Sequence, residues 1–273
     1  MLTGITVANA QMSIPRASQY GEVEQRIAFT EVEVEYYRPN VRGRMIFGDL
    51  VPFDKIWRTG ANDATIIEFD QPLEIEGVAV DSGTYAMFTI PGETEWTVVL
   101  NSDHEQWGAY NHDESKDVLK VKVPVEELGE VVETFTIGFE NVMGNKADLV
   151  MMWDRTRVRL NIVTELEKNM QKYIEEALRD PENKEHEVYT NVGRYYFQDG
   201  DNDMAAKYLD KALKINEKHW LAWWVRAQVY ESEENYKEAV QAGETAIKMG
   251  LASDPEFGYA DRLKEIVEEW KNK

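Results

Sequence analysis

Hydrophobic and polar residues alternate with a period of two along the first half of the chain. Val32, Val34 and Tyr36 alternate with Glu31, Glu33 and Glu35, which puts one set on a buried face and the other in water. Similar runs occupy 64–69, 73–77, 84–90, 95–101, 118–123, 133–139, 147–153 and 157–163. Turn-forming residues separate them at Arg38-Pro39-Asn40, Glu76-Gly77, Asp81-Ser82-Gly83, Pro91-Gly92 and Met143-Gly144-Asn145. Short strands at this spacing predict an antiparallel β-sandwich or jelly-roll-like barrel of roughly eight to eleven strands.

After Thr164 the period becomes helical. Leu166, Met170, Tyr173, Ile174, Ala177 and Leu178 form one stripe, which Asp180-Pro181 ends. The remainder repeats at a spacing of 34: Tyr189 returns as Trp223, Gly193 as Ala227, Tyr196 as Tyr230, Ala205 as Ala239 and Ala212 as Ala246. Small residues at three of these pairs let antiparallel helices approach closely, and the aromatics fill the space between.

Over about 186–253 these residue types resemble the tetratricopeptide repeat, which implies an α-helical solenoid. The chain departs from that pattern at Arg226, at Gly243 where the first copy has Leu209, and in lacking a proline at Glu217 and Leu251. Asp254-Pro255 is expected to open a final capping helix through Trp270, with Phe257, Leu263, Ile266, Val267 and Trp270 on its apolar side.

The predicted organisation is therefore a residual signal-peptide tail at 1–10, a β-sandwich domain at 11–163, a connector helix at 164–181, and two repeats with a cap at 182–273. The tail is read from Ala8 and Ala10, an A-x-A cleavage pattern before Gln11. It predicts an exported protein of the periplasm or cell envelope.

Charge narrows the partners. Residues 1–163 carry 14 basic and 27 acidic groups (−13) and residues 164–273 carry 16 and 24 (−8), the two parts of a net −21. Neither half attracts nucleic acid or an anionic membrane. No stretch approaches the roughly 20 apolar residues of a membrane-crossing helix. With no cysteine, disulfides, thiolate nucleophiles and Cys-based metal sites are excluded.

The most distinctive local sequence runs from Tyr37-Arg38-Pro39-Asn40-Val41-Arg42-Gly43-Arg44 to Trp57-Arg58-Thr59-Gly60-Ala61-Asn62. Together with Gly83-Thr84-Tyr85, Ile90-Pro91-Gly92, Glu95-Trp96-Thr97 and Trp107-Gly108-Ala109-Tyr110, it resembles the bacterial family called domain of unknown function 2911 over roughly residues 13–160. That resemblance implies an exported β-rich domain, sometimes fused to helical repeats, and brings no assigned activity.

Arg38, Arg42, Arg44 and Arg58 fall within 21 residues, whereas Thr59 to Ser115 holds 12 acidic residues and no Lys or Arg. A guanidinium fork suits bidentate carboxylate or phosphate recognition and stacks on aromatics such as Trp57. Two readings stand: the arginines bind an anionic ligand, with Trp57 and Asn62 beside them, or they pair with the domain's own acids and fasten a long loop. Trp57, Trp96 and Trp107 are candidates for stacking on a sugar ring, with Asn62 and Asn101 as polar contacts, or are core residues, Trp96 above all. His104 and His112, beside Asp103 and Asp113, match no metal-ligand spacing. No nucleophile-elbow, zinc, phosphate-loop or dinucleotide motif is present. No catalytic residue, metal or cofactor is therefore assigned.

In the repeats, first-helix residues that do not pack internally are expected to line a groove for a protein or peptide partner. These are Glu187, Thr190, Arg194 and Phe197, then Leu221, Trp224, Gln228 and Glu231. The competing reading docks Phe197 and Trp224 against the rest of the chain. The leading functional expectation is a non-catalytic binding or scaffolding protein. The rival is a carbohydrate-binding or hydrolytic protein with its site near Trp57, Arg58 and Asn62.

Overall fold

A computed structural model describes residues 15–180 and 182–273. The expected signal tail and Pro181 lie outside the described residues. The chain divides into two compact units between Glu165 and Leu166.

Among the described residues the first unit contains nine strands: β1 (Gln19–Ile27), β2 (Thr30–Arg38), β3 (Thr65–Phe69), β4 (Leu73–Ile75), β5 (Val78–Val80), β6 (Gly83–Ile90), β7 (Glu95–Asn101), β8 (Asp117–Met143) and β9 (Lys146–Thr164). They form one antiparallel ladder in the order β1-β2-β3-β6-β7-β8-β9-β4-β5. The five turn signals all fall at strand ends or between strands. Runs 118–123 and 133–139, read separately from the sequence, are parts of β8, and runs 147–153 and 157–163 are parts of β9. The alternation breaks there because register shifts between Glu127 and Val132 and between Val132 and Thr136 disturb the pleat without ending the strand.

The irregularity closes the ladder on itself. Asp117 to Pro124 pairs with β7, and β8 pairs with β9 from Val125 onward. Beyond the bulges, Phe135 N donates to Pro39 O at 2.8 Å. Tyr36 Oη accepts from Ile137 N at 2.9 Å and donates to Ile137 O at 3.1 Å. Val34, Phe69, Trp96 and Leu100 from one half of the ladder thus share a single buried cluster with Phe135, Met151, Trp153 and Leu160 from the other. Each large aliphatic or Phe side chain buried this way contributes roughly 1.5–3 kcal/mol.

The second unit is helical: α1 (Leu166–Ala177), α2 (Glu185–Asp199), α3 (Asn202–Ile215), α4 (Trp220–Ser232), α5 (Tyr236–Ser253) and α6 (Ala260–Lys271). The repeat spacing corresponds to the hairpins α2–α3 and α4–α5. Gly200, at φ +86°, ends α2, and Asp201 caps α3 by accepting from Met204 N at 3.0 Å. Gly193 is required by close approach, since a Cβ there would lie 2.7 Å from Leu209 Cγ. Tyr196 is fully buried, stacks on Tyr208, and ties α2 to α1 through a 2.7 Å bond from its Oη to Glu167 Oε1.

Arg226, the departure from an apolar position, substitutes for one by geometry. Its guanidinium lies 4.0 Å from the Tyr230 ring centroid and its Nε donates to Asp210 at 3.1 Å. The final helix begins at Ala260 and not at Pro255, which belongs with Phe257 to the preceding turn. Tyr173 and Leu178 of the expected α1 stripe are exposed, because that helix buries only Leu166, Asn169, Met170 and Ile174.

Candidate functional site

The Arg-rich segment folds as two loops flanking a cavity of about 290 Å³. Arg42, Arg44, Trp57, Arg58 and Trp153 border it. Positive φ angles at Arg42 (+50°) and Gly43 (+67°) turn the first loop, and those at Thr59 (+56°), Gly60 and Asn62 (+58°) turn the second. Thr59 is β-branched and fully buried, so its left-handed backbone is strained. Its Oγ1 to Thr89 Oγ1 (3.1 Å) and its carbonyl to Thr65 Oγ1 (2.7 Å) hold it there. Gly60 must lack a side chain, as a Cβ would stand 2.8 Å from Tyr37 O. The residue between Trp57 and Thr59, Arg58, is thereby clamped on both sides.

Among the described residues, no Asp or Glu oxygen lies within 4.0 Å of the guanidinium of Arg38, Arg42, Arg44 or Arg58. The expected pairing of these arginines with internal acids is therefore not what the loops contain. Arg44 instead donates to the carbonyls of Val41 (3.0 Å) and Asn40 (2.5 Å), and Arg42 to that of Ala17 (3.3 Å). Glu133 accepts from the Arg42 backbone N–H. Backbone carbonyls thus take the guanidinium bonds of Arg42 and Arg44 while the Glu133 carboxylate takes the Arg42 backbone N–H, and the loop is fastened without a guanidinium–carboxylate pair.

Two expected ligand-binding residues do not border the cavity. Arg38 turns onto β8, donating to Phe135 O at 3.2 Å and Thr136 Oγ1 at 3.0 Å. Asn62 reaches only Ser18 O at 3.5 Å. Trp57 borders the cavity but is 9% exposed, and its Nε1 donates to Gly60 O at 3.0 Å. It packs on Phe47, Trp96, Phe135 and Trp153 and offers no free face for a sugar. Trp96 is core at 2%. Trp107 does lie outside, 63% exposed and stacked on Tyr110 at 5.7 Å. Gly108 between them, at φ +73°, brings the loop against the site, since a Cβ there would be 3.8 Å from Arg58 Nη1.

The two histidines of the β unit have separate surroundings. His112 bonds Asp117 Oδ1 at 2.8 Å, an oxygen shared with Asn101 Nδ2 at 2.7 Å. Among the described residues, no three His, Asp or Glu side chains gather as a metal-holding group.

In the helical unit, a groove of about 450 Å³ runs across α2, α4 and α6. Arg194, Leu221, Trp224 and Gln228, all expected there, line it. Arg262 and Ile266 of α6 join them, unforeseen because α6 had been expected only to cap the array. Trp224 serves both packing and lining, for it stacks on Trp270 at 5.5 Å with a 17° tilt.

Four expected residues are corrected. Glu187, Phe197 and Glu231 are not among the groove residues; Phe197 is half-buried, and Glu231 accepts from Lys273 Nζ at 3.0 Å. Thr190 is 1% exposed and cannot meet a partner. Its Oγ1 donates to His186 O at 2.7 Å and so accepts from His219 Nδ1 at 3.0 Å, because a helical hydroxyl near the preceding turn bonds backward.

His219 also begins α4, where a positive charge is disfavoured. Burial lowers its pKa, and neighbouring His186 adds to the effect. The unfolded chain, at about 6.5, takes up the proton first as pH falls, so stability is lost progressively below that value. The melting temperature of the helical unit is expected to fall from pH 7 to 5, and His219→Gln to flatten part of that slope. Parallel melting curves for the two proteins would remove the assignment.

No helix among the described residues is long and apolar enough to cross a membrane. Residues 186–219 match the tetratricopeptide repeat, a module of protein interaction and scaffolding, and these residues form the α2–α3 hairpin. No curated protein matches the chain. Residues 18–162, which span the nine-stranded ladder and both cavity loops, match the family described as protein of unknown function (DUF2911), and because that match covers more than half of the 273 residues, the chain belongs to this family.

Proposed function

We propose that this is a non-catalytic binding or scaffolding protein of the cell envelope that holds an extended, acidic segment of a protein partner along the groove of its helical unit. The observation that carries the reading is the makeup of that groove. Leu221, Trp224 and Ile266 give an apolar wall, and the exposed Arg194 and Arg262 stand on separate helices beside it. Three helices presenting one concave surface can anchor a peptide at intervals, and two cations favour acidic side chains or a terminal carboxylate. The Ala8-x-Ala10 pattern supports the envelope location.

A panel of fluorescent decapeptides combining acidic and aliphatic residues tests the groove by anisotropy. Binding is expected to weaken at least tenfold, about 1.4 kcal/mol, in Arg194→Glu/Arg262→Glu, with Arg58→Gln unchanged. Equal binding by the double variant, or no binding by any acidic peptide, would dismiss the reading.

The β unit supplies a second surface in the same proposal, the cavity of Arg42, Arg44 and Arg58, for an anionic ligand. The carbohydrate or hydrolytic alternative has less support, because Trp57 is enclosed and Asn62 lies away from the cavity.

A further inference from the structure

Trp107 and Tyr110 stand in water on the β unit, 63% and 76% exposed, and their rings stack at 5.7 Å with a 19° tilt. The loop that carries them is braced. Gln106 is buried, its Nε2 donates to Asp103 O at 2.7 Å, and its carbonyl accepts from Ala64 N at 3.1 Å. His112 bonds Asp117 Oδ1 at 2.8 Å, and Ala109 packs on the cluster of Ala64, Ala86, Phe88 and Val99. Two large aromatics are thereby kept out of the core on a fixed support, which spares a ligand the cost of ordering them.

Beside them lies a guanidinium without a partner. A Cβ on Gly108 would stand 2.9 Å from Tyr110 Cε2 and 3.8 Å from Arg58 Nη1, so ring edge and cation border one small space that the glycine leaves open. Among the described residues the Arg58 guanidinium has neither a hydrogen bond nor an acidic oxygen within 4.0 Å. Of its three nitrogens only Nε is also enclosed, and the two Nη nitrogens still meet water as donors. Trp107, Gly108 and Tyr110 do not border the cavity of about 290 Å³, so this surface is separate from it.

The makeup of the surface tells what fits. Trp, Tyr and Arg carry much of the energy at recognition sites. Here the flanking Glu105, Asn111 and Asp113 are exposed and polar, so the apolar area of the loop ends at two rings. That falls short of the apolar centre of a protein interface and matches one ring of a ligand. The π faces attract polarised C–H groups, and the Nη pair takes both oxygens of a carboxylate. From Thr59 to Ser115 the chain has 12 acidic residues and no Lys or Arg, which repels a ligand of many negative charges.

We infer that Trp107, Tyr110 and Arg58 bind a single pyranose ring carrying one carboxylate, a uronic-acid-type sugar, with its C–H face on the aromatic pair and its carboxylate on the Arg58 Nη nitrogens. The site is independent of the helical groove and of Trp57, which is enclosed.

The test uses the full-length ¹⁵N-labelled chain. The Trp107 indole N–H signal, one of eight tryptophans, is assigned by through-bond experiments and checked by its loss in Trp107→Ala. Methyl glucuronide, methyl glucoside and cyclohexanecarboxylate are titrated separately at matched ionic strength, with calorimetry alongside. The glucuronide is expected to shift the Trp107 signal saturably, and the glucoside, which lacks the charge, and cyclohexanecarboxylate, which lacks the sugar, to bind roughly tenfold more weakly, about 1.4 kcal/mol. Trp107→Ala and Arg58→Gln should each weaken glucuronide binding by a similar factor, and Arg38→Gln should match the parent; dispersed spectra establish that each variant is folded. Glucoside binding as tight as glucuronide binding overturns the role of Arg58, and equal binding of cyclohexanecarboxylate overturns the sugar. Glucuronide binding that survives Trp107→Ala, or its absence from the parent protein, overturns the site.

Discussion

Trp57→Ala is expected to destabilise the β unit by about 3–5 kcal/mol, the range for removing a large buried aromatic. The ring lies within 5.3–6.1 Å of four aromatic partners, Phe135, Trp153, Phe47 and Trp96, and stacks on Trp153 at a 15° tilt. Its loss leaves a void among groups that cannot collapse freely, since the Trp57 backbone is itself pinned to Thr89 by bonds of 2.7 and 2.9 Å. It also strips Gly60 O of its donor. Trp57→Phe keeps most of the volume and loses the bond, so a smaller loss of about 1–2 kcal/mol is expected. Urea unfolding followed by far-ultraviolet circular dichroism measures both. A Trp57→Ala protein with parental stability but lost glycan binding would restore the sugar-platform reading.

Gly243→Leu is expected to destabilise the helical unit by about 2–3 kcal/mol, although it restores the residue type of the first repeat. A Cβ at Gly243 would already lie 2.6 Å from Val267 Cγ2 and 3.3 Å from Trp270 Cζ3. The missing side chain is what admits α6, whose Trp270 then stacks on Trp224. In the first copy Leu209 packs against Gly193 of its own hairpin, whereas in the second copy both corresponding positions are small, Ala227 and Gly243, and the space at Gly243 is taken by α6. A displaced α6 would also dismantle the groove, which draws Arg262 and Ile266 from that helix. Thermal unfolding together with trypsin cleavage at Arg262 and Lys264 reads this out. An unchanged melting temperature with α6 still protected would show that the glycine has no packing role.

These contacts explain what could be read along the chain. The repeat spacing of 34 was visible because Gly193, Ala205 and Ala212 and their counterparts serve the same local purpose in each hairpin. The strands of the first unit were visible where one face is buried and the other wet, as in β2 and β3. Edge strand β1 escaped notice because its inner positions are only partly covered until Ile27, so its sequence alternates weakly. The bulged β8 and β9 were each read as two strands because a bulge shifts the side-chain phase without breaking the ladder.

The candidate site divides the same way. Four closely spaced arginines in an acidic domain announced an unusual loop, and three of them border one cavity. Nothing local separates Arg38 from the others. It faces β8 because it ends β2 in register with a strand about 97 residues away. Trp153 could not be placed against Trp57, for their stacking exists only once β8 folds back and β9 follows it.

The sequence alone determined the strand and helix periods, the repeat, the boundary near Thr164 and the excess of arginine in one loop, because each depends on residues near one another along the chain. Tertiary structure decided which arginines keep an unanswered charge, which tryptophans are enclosed and which helices share a groove. Those properties belong to the distance between groups and to the water excluded around them, and both are set only when segments remote in sequence pack together.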